Sequence, residues 1–200
     1  MAKVKICGLS RAADVEAVNE AMPEYIGFVF AESRRKITPM EAMALREKLA
    51  PDIVPVGVFV DERPESIIDL VRHGVIDVIQ LHGAEDEAYV SKLKAMTDKP
   101  LIKAIAIQKG DETWRWADSE ADFLLLDSYS GGSGRRFDWR LIGTVDKPFF
   151  LAGGLNADNI AEAIGAVRPY AADVSSGVET KGHKDRGKII ELIRRVRDER

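Results

Sequence analysis

A cysteine and an aspartate end two apolar segments of the chain, and they have the chemistry of a base and an acid. Cys7 closes the segment that begins at Val4, and it is the one cysteine of the sequence. A thiol with a pKa of about 8.5 can be drawn toward neutrality by cations or helix N-termini, and the thiolate is then a base or a nucleophile. Asp127 ends the run that begins at Phe123, where partial burial favours the protonated acid. The alternatives are a buried core cysteine and a carboxylate that caps a turn.

Two glycine-containing turns could receive a phosphate. Gly153 and Gly154 follow one apolar segment, and Ser175, Ser176 and Gly177 follow the next. Backbone N–H groups that no Cβ atom shields bind anions well, especially at the start of a helix. Each turn alone is better explained by ordinary turn chemistry. Their occurrence after consecutive segments favours a phosphate site.

Other residues could contact a ligand from neighbouring loops. Arg35, or its neighbour Arg34, could hold a carboxylate through a bidentate contact, although a basic run at this point also fits a solvated face. His82 could orient or polarise a substrate, or it could be a satisfied structural group. The segment around Gly132 predicts either a flap over the ligand or a flexible surface loop. Because the sequence contains neither His-x-His nor His-Glu-x-x-His, we expect no metal.

A repeat of strands and helices must position these residues. Eight short β-rich segments alternate with segments of helical periodicity. The predicted strands are Val4–Cys7, Tyr25–Phe30, Val54–Val60, Val75–Leu81, Leu101–Ile105, Phe123–Asp127, Phe149–Ala152 and Ala172–Ser175. The predicted helices begin near Arg11, Pro39, Pro64, Glu85, Asp111, Asp138, Asn156 and Asp185, with Ser10, Thr38 and Asn156 as N-caps.

The repeat predicts an α/β fold, a single-domain (β/α)8 TIM barrel over residues 1–200. In such barrels the loops after the strands build the site, and a phosphate commonly lies between the loops after strands seven and eight. The alternative is an open doubly wound sheet, but no G-x-G-x-x-G follows the first strand.

Composition excludes several classes of protein. A net charge of −4 over 200 residues argues against a nucleic-acid partner, which usually needs a basic face. A lone cysteine forms no internal disulfide. The N-terminus has no apolar signal core, and no apolar run approaches the ~20 residues that span a membrane. We therefore expect a cytoplasmic protein with no membrane partner.

The motifs, taken in chain order, resemble the phosphoribosylanthranilate isomerase family. They are Lys5-Ile6-Cys7-Gly8, Gly27-Phe28-Val29-Phe30, Ser33-x-Arg35, Gly57-Val58-Phe59-Val60, Gln80-Leu81-His82-Gly83, Asp127 with Gly131-Gly132-Ser133-Gly134, Phe137-Asp138-Trp139, Ala152-Gly153-Gly154-Leu155 and Asp173-Val174-Ser175-Ser176-Gly177-Val178-Glu179. The resemblance covers the chain from end to end. Residues 179–185 lack the Pro-Gly pair that is common in relatives, so the shape of this loop is left open.

The resemblance implies an enzyme of tryptophan biosynthesis with a phosphosugar substrate. It would convert N-(5′-phosphoribosyl)anthranilate to 1-(2-carboxyphenylamino)-1-deoxyribulose 5-phosphate by an Amadori rearrangement without a cofactor. By the same analogy Cys7 is the general base, Asp127 is the general acid and Arg35 holds the anthranilate carboxylate. The phosphate would lie against Gly154, Ser176 and Gly177, and Asp173 would contact the sugar or the amine. We expect a monomer, with a homodimer as the alternative.

Two other functions compete with this interpretation. Another phosphosugar barrel enzyme should show histidine metal ligands or an inward lysine with partner carboxylates, and the sequence pattern indicates neither. A catalytically silent phosphate-binding protein or assembly subunit could lose Cys7 or Asp127, yet both are present at the predicted strand ends.

Overall fold

Eight parallel strands close into a barrel in the computed structural model, which describes residues 2–107, 112–128 and 138–198. The strands are β1 (Lys3–Cys7), β2 (Tyr25–Val29), β3 (Val54–Phe59), β4 (Val78–Leu81), β5 (Leu101–Ile107), β6 (Phe123–Ser128), β7 (Phe149–Leu151) and β8 (Ala171–Val174). Each strand pairs with its neighbour in chain order, and β1 pairs with β8 through Lys5 and Asp173. The barrel prediction is confirmed, and the open sheet is excluded.

The inside of the barrel changes from apolar to polar along the strands. Apolar side chains fill the amino-terminal half: Tyr25, Val56, Val78, Ile102, Leu125, Phe150 and Ala171. Toward the carboxyl ends the inward positions carry polar groups: Lys5, Cys7, Gln80, His82, Asp127 and Asp173. Because strand side chains alternate between two faces, the residues between these positions pack outward against the helices. The barrel interior therefore consists of a packed apolar layer and, at the carboxyl ends of the strands, a polar layer.

Six α-helices surround the barrel in the described ranges. They are α1 (Ala12–Ala21), α2 (Pro39–Arg46), α3 (Pro64–Arg72), α4 (Glu87–Lys94), α5 (Ile160–Val167) and α6 (Arg186–Asp198). Thr38 caps α2 as predicted: its hydroxyl accepts from Glu41 N at 3.2 Å, and the Glu41 carboxylate accepts from Thr38 N at 2.7 Å. No helix in these ranges is long and apolar enough to cross a membrane.

The predicted N-caps Ser10 and Asn156 are wrong. Arg11 is the N-cap residue of α1, and the Asp14 carboxylate accepts from the backbone N–H groups of Ser10 and Arg11 at 3.0 and 3.1 Å. Asn159, not Asn156, precedes α5. In both places a side chain further along the chain satisfies the turn, four residues after Ser10 and three residues after Asn156, so the helix begins later than the first polar residue suggests.

The two helices predicted after β5 and β6 are also wrong for the described residues. Short 3₁₀ turns stand there, at Glu112–Trp116 and Trp139–Leu141, and Asp111 lies outside the described residues. The first turn ends where the Ser119 hydroxyl donates to the Trp116 carbonyl at 2.9 Å. Gly143 follows the second turn, and glycine is a poor helix former.

The loop after β8 forms a small hairpin. Residues 179–185 contain β9 (Glu179–Thr180) and β10 (His183–Lys184), which pair antiparallel. The two residues between them, Lys181 and Gly182, both have positive φ, 51° and 83°. A two-residue turn of this kind matches the twist of a hairpin. This hairpin returns Glu179 and Lys184 toward the mouth of the barrel.

Candidate active site

A cavity of about 260 Å³ opens at the carboxyl ends of the strands. Nine of the eleven predicted site residues line it: Cys7, Arg35, His82, Asp127, Gly153, Gly154, Asp173, Ser175 and Ser176. Gly177 does not line the cavity, and Gly132 and the predicted flap lie outside the described residues. The strand-end residues thus come together in one cavity, as the barrel prediction requires.

Cys7 ends β1 with its thiol in this cavity and 8% of its surface exposed. Gly27 on β2 makes room for it, because a Cβ atom there would lie 2.7 Å from the Cys7 Sγ. Burial raises the pKa of the Cys7 thiol; the ammonium groups of Lys5 and Lys184 oppose this rise, and Asp173 adds to it. The thiol therefore depends on two buried cations to reach its charged form.

Lys5 lies one inward position below Cys7 and is fully buried. Its Nζ donates to Asp173 Oδ1 at 3.0 Å and to Gln80 Oε1 at 2.7 Å. Burial disfavours its charge, but the Asp173 carboxylate and the Cys7 side chain together outweigh burial and leave the pKa of Lys5 raised. The expectation that no inward lysine has a carboxylate partner was therefore wrong for Lys5.

Gln80 continues this chain of contacts across the barrel. Its Nε2 lies 2.8 Å from His82 Nδ1, and His82 Nε2 lies 3.6 Å from Asp127 Oδ2. The other carboxylate oxygen, Asp127 Oδ1, accepts from Ser128 N at 2.7 Å. Polar contacts thus lead across the cavity from Lys5, below Cys7, to Asp127.

A second charged cluster closes the cavity near Arg35. The Arg35 Nε and Nη2 donate to Glu179 at 2.7 and 3.1 Å, and Arg34 Nη2 donates to the same carboxylate at 2.6 Å. Lys184 Nζ donates to Glu179 Oε1 at 2.8 Å and to the carbonyl of Ser175 at 3.0 Å. Burial raises the pKa of Glu179, but hydrogen bonds from Arg35 and Lys184 outweigh burial and leave it lowered. Glu179 is therefore a fixed anion that holds three cations.

The Arg34 and Arg35 side chains have different positions. The Arg35 side chain is 13% exposed and lines the cavity, whereas Arg34 is 54% exposed and lies outside the lining. Two of the five N–H donors of Arg35 are used by Glu179. Its remaining donors can serve a ligand.

The two glycine turns meet at the rim of the cavity. Gly153 and Gly154 have φ values of 92° and 65°, which favour glycine. The buried Asn159 fixes their loop by donating to the Gly154 carbonyl at 2.9 Å. A Cβ atom at Gly177 would lie 1.9 Å from the Leu155 carbonyl oxygen, so the close approach of the two loops requires glycine there. The loops after β7 and β8 consequently act as one unit.

A buried ion pair holds the loop that follows His82. Lys103 Nζ donates to Glu85 Oε2 at 2.7 Å and to the Gly83 carbonyl at 2.8 Å. Glu85 in turn accepts from the backbone N–H groups of Asp61 and Gly83, both at 2.9 Å. This pair lies on the side of the barrel that faces the helices, and it stabilises the backbone at Gly83, the residue after His82.

Sequence reasoning missed Lys5, Gln80, Glu179 and Lys184 as functional residues. Lys5 and Gln80 each stand two positions before a predicted site residue, Cys7 and His82, on the same strand face. Polar residues at inward positions were the available signal. For Lys184 no sequence signal existed, because the hairpin that returns it to the cavity depends on tertiary packing.

A closed barrel of eight parallel strands with a polar cavity at their carboxyl ends defines the class of (β/α)8-barrel enzymes. The sequence profile of the family described as N-(5′-phosphoribosyl)anthranilate (PRA) isomerase matches residues 4–195. The N-(5′-phosphoribosyl)anthranilate isomerase of Endomicrobium trichonymphae is 49% identical over 201 residues, which cover 98% of this chain and 99% of that protein.

Solved structures agree with the sequence comparison. The phosphoribosyl anthranilate isomerase of Thermus thermophilus superposes with a TM-score of 0.89 at 35% identity, over 99% of this chain and 100% of that one. A phosphoribosyl anthranilate isomerase in complex with reduced 1-(o-carboxyphenylamino)-1-deoxyribulose 5-phosphate superposes with a TM-score of 0.84 at 33% identity, over 99% and 100% of the two chains. The chain belongs to the N-(5′-phosphoribosyl)anthranilate isomerase family, and it is an isomerase of tryptophan biosynthesis.

The position of Lys5 predicts how the thiol titrates. Lys5→Met removes one of the two cations that favour the Cys7 thiolate, and the one with the larger effect, so the pKa of the thiol should rise further and its alkylation at pH 8 should slow several-fold. Because Cys7 is the one cysteine, thiolate absorbance reports this residue alone. Lys3→Met is the matched control, since Lys3 lies on the same strand but donates to the Tyr170 hydroxyl at 2.7 Å. A thiol that titrates identically in all three proteins would refute the electrostatic role of Lys5.

Proposed function

We propose that the chain converts N-(5′-phosphoribosyl)anthranilate to 1-(2-carboxyphenylamino)-1-deoxyribulose 5-phosphate, with Cys7 as general base and Asp127 as general acid. The observation that carries the proposal is the placement of both groups in one cavity, from different strands. A substrate held between them could be protonated at one atom and deprotonated at another. All the groups proposed to act come from one chain, so the site needs no second copy.

The rearrangement proceeds in three steps. Asp127 gives its proton to the furanose ring oxygen, the C1′–O4′ bond breaks, and the nitrogen lone pair forms a protonated imine at C1′. The Cys7 thiolate then removes the C2′ proton, and the released electron pair forms the C1′=C2′ bond of an enolamine. Ketonisation adds a proton to C1′ and removes one from O2′. In this exchange the Cys7 thiol loses a proton and the Asp127 carboxylate regains one, so both side chains return to their starting forms.

The buried thiol suits this order of events. Burial raises its pKa, so a strong base stands beside C2′ once the thiolate forms. The positive imine that ring opening creates would favour the thiolate at the moment it is needed. Lys5 and Lys184 supply the permanent part of the same effect.

The two ends of the substrate are both anionic, and each has a suitable partner. The remaining N–H donors of Arg35 would hold the anthranilate carboxylate, while the backbone of Gly154, Ser176 and Gly177 would hold the phosphate. Asp173, whose Oδ1 is already bound to Lys5, would contact the sugar or the amine through its other carboxylate oxygen. His82 would contact the substrate beside Asp127.

The acid and base assignments are tested by isosteric substitution. Cys7→Ser should nearly abolish turnover, because an unassisted hydroxyl is a far weaker base than a thiolate. Asp127→Asn should lower kcat by ~10² or more, because the amide cannot deliver a proton. Conversion of phosphoribosylanthranilate is followed by absorbance against the spontaneous decay of the substrate. Binding of reduced 1-(o-carboxyphenylamino)-1-deoxyribulose 5-phosphate, an analogue of the product, serves as the control.

Retained binding of the analogue by both variants would show that chemistry, not folding, is lost. Near-native turnover by Cys7→Ser would return Cys7 to the role of a core residue and require another base. Wild-type protein that bound the analogue without converting the substrate would instead favour a silent binding protein.

The adjacent arginines allow a matched test of the carboxylate contact. Arg35→Ala should raise KM roughly 10-fold or more, since a buried bidentate contact contributes a few kcal/mol and about 1.4 kcal/mol corresponds to tenfold. Arg34→Ala is the control, because the exposed Arg34 shares the Glu179 contact but lies outside the cavity. Steady-state kinetics of both variants decide the matter. A larger effect from Arg34→Ala would move the carboxylate contact to Arg34.

A further inference from the structure

Gln80 is a buried amide with a charged neighbour on one side and a histidine on the other. It lies on β4 with 1% of its surface exposed. Its Oε1 accepts from Lys5 at 2.7 Å, and its Nε2 lies 2.8 Å from His82 Nδ1. An amide has distinct donor and acceptor ends, so its orientation determines which neighbouring atom must donate a hydrogen bond and which must accept one.

Lys5 determines that orientation. An ammonium group donates hydrogen bonds and accepts none, so the atom of Gln80 that faces it must be the carbonyl oxygen. The Asp173 carboxylate, 3.0 Å from Lys5 Nζ, favours the charged form of Lys5. The oxygen and nitrogen atoms of the Gln80 amide are therefore assigned by the hydrogen-bond chemistry of Lys5, although the two atoms are similar in size.

The orientation of Gln80 then fixes the proton on His82. Because the Gln80 NH₂ group can only donate, His82 Nδ1 must accept and therefore carries no proton. The proton of the neutral ring is then on Nε2, which lies 3.6 Å from Asp127 Oδ2. A protonated Nδ1 would place two donors against each other in a buried position, which is costly.

We propose that Gln80 is a positioning residue that holds His82 as the neutral Nε2–H tautomer, so that His82 donates toward Asp127 and does not form an ion pair with it. The catalytic consequence rests on the proposed function, in which Asp127 is the acid. An imidazolium beside Asp127 would stabilise the carboxylate and disfavour the protonated acid. A neutral ring can orient the carboxyl group without removing its proton.

The charged side chains near the Lys5–Gln80–His82 contacts bind other partners. Lys5 pairs with Asp173 at the far end, and Lys103 pairs with Glu85 behind the loop after His82. Arg35 lines the same cavity but binds Glu179. Within the residues that the structure describes, the hydrogen bond from Gln80 is thus the contact to Nδ1 of His82.

Nitrogen-15 NMR of histidine tests the tautomer directly in the protein without substrate. The chain has three histidines, and His82→Gln identifies the signals of His82 by their loss. At neutral pH we expect an unprotonated Nδ1 and a protonated Nε2. A protonated Nδ1 in the wild-type protein would overturn the proposal, and this readout needs no variant of Gln80 to fold.

Substitution of Gln80 tests the consequence. In Gln80→Glu the carboxylate can accept from both Lys5 and Nδ1–H, so Nδ1 of His82 should become protonated and kcat should fall about 10-fold or more with little change in KM. Gln80→Met is the matched control of similar size: it removes the hydrogen bonds without adding an acceptor for Nδ1–H. It should show a mixture of tautomers and a smaller loss of kcat.

The outcomes separate the two proposals. A Gln80→Glu protein with a protonated Nδ1 and unchanged kcat would overturn the positioning role. Equal losses of kcat in Gln80→Glu and Gln80→Met, with the same tautomer in both, would also overturn it, because they would indicate a purely structural role. Full activity of Asp127→Asn would instead remove the acid assignment of the proposed function and leave the tautomer result standing.

Discussion

The active end of this barrel depends on one buried ammonium group, that of Lys5. An ion inside a protein costs several kcal/mol unless partners compensate, and Lys5 is fully buried. Its two partners, Asp173 on β8 and Gln80 on β4, lie on different strands and are drawn toward one point. The same ammonium favours the thiolate of Cys7 and orients the amide that faces His82. One charge therefore acts on Cys7, the proposed base, on one side of the cavity and, through Gln80 and His82, on Asp127, the proposed acid, on the other.

The rest of the molecule holds this polar layer in place. Below it, fully buried apolar side chains such as Leu125 and Phe150 fill the barrel as one packed cluster. Above it, Glu179 and the Lys103–Glu85 pair hold the loops on which Arg35 and His82 stand. The site is thus built between a packed core and two buried charge clusters. Such an arrangement keeps catalytic groups in fixed positions at the cost of burying several charges.

Much of the fold and of the site could be predicted from local patterns. Alternating strands and helices place Cys7, His82, Asp127 and Asp173 at strand ends, and closure of the barrel then brings them together. The predicted N-caps Ser10 and Asn156 were wrong because the side chains of Asp14 and Asn159, four and three positions further on, satisfy the turns instead. The helices after β5 and β6 were wrong because those segments make single turns before a serine or a glycine ends them. Lys5 and Glu179 were missed because their roles come from partners 168 and 144 residues away in the chain, which no local pattern contains.

The central claim is that the Cys7 thiolate is the base. In Asp127→Asn the acid no longer titrates, so the pH dependence of the residual kcat/KM reports the base alone. Because burial raises the pKa of this thiol, kcat/KM in that variant should rise with pH through the neutral range. It should level off at the pH where the thiolate absorbance of Cys7 in the same protein reaches its plateau. A residual rate that stays constant with pH while the thiol titrates would contradict the account.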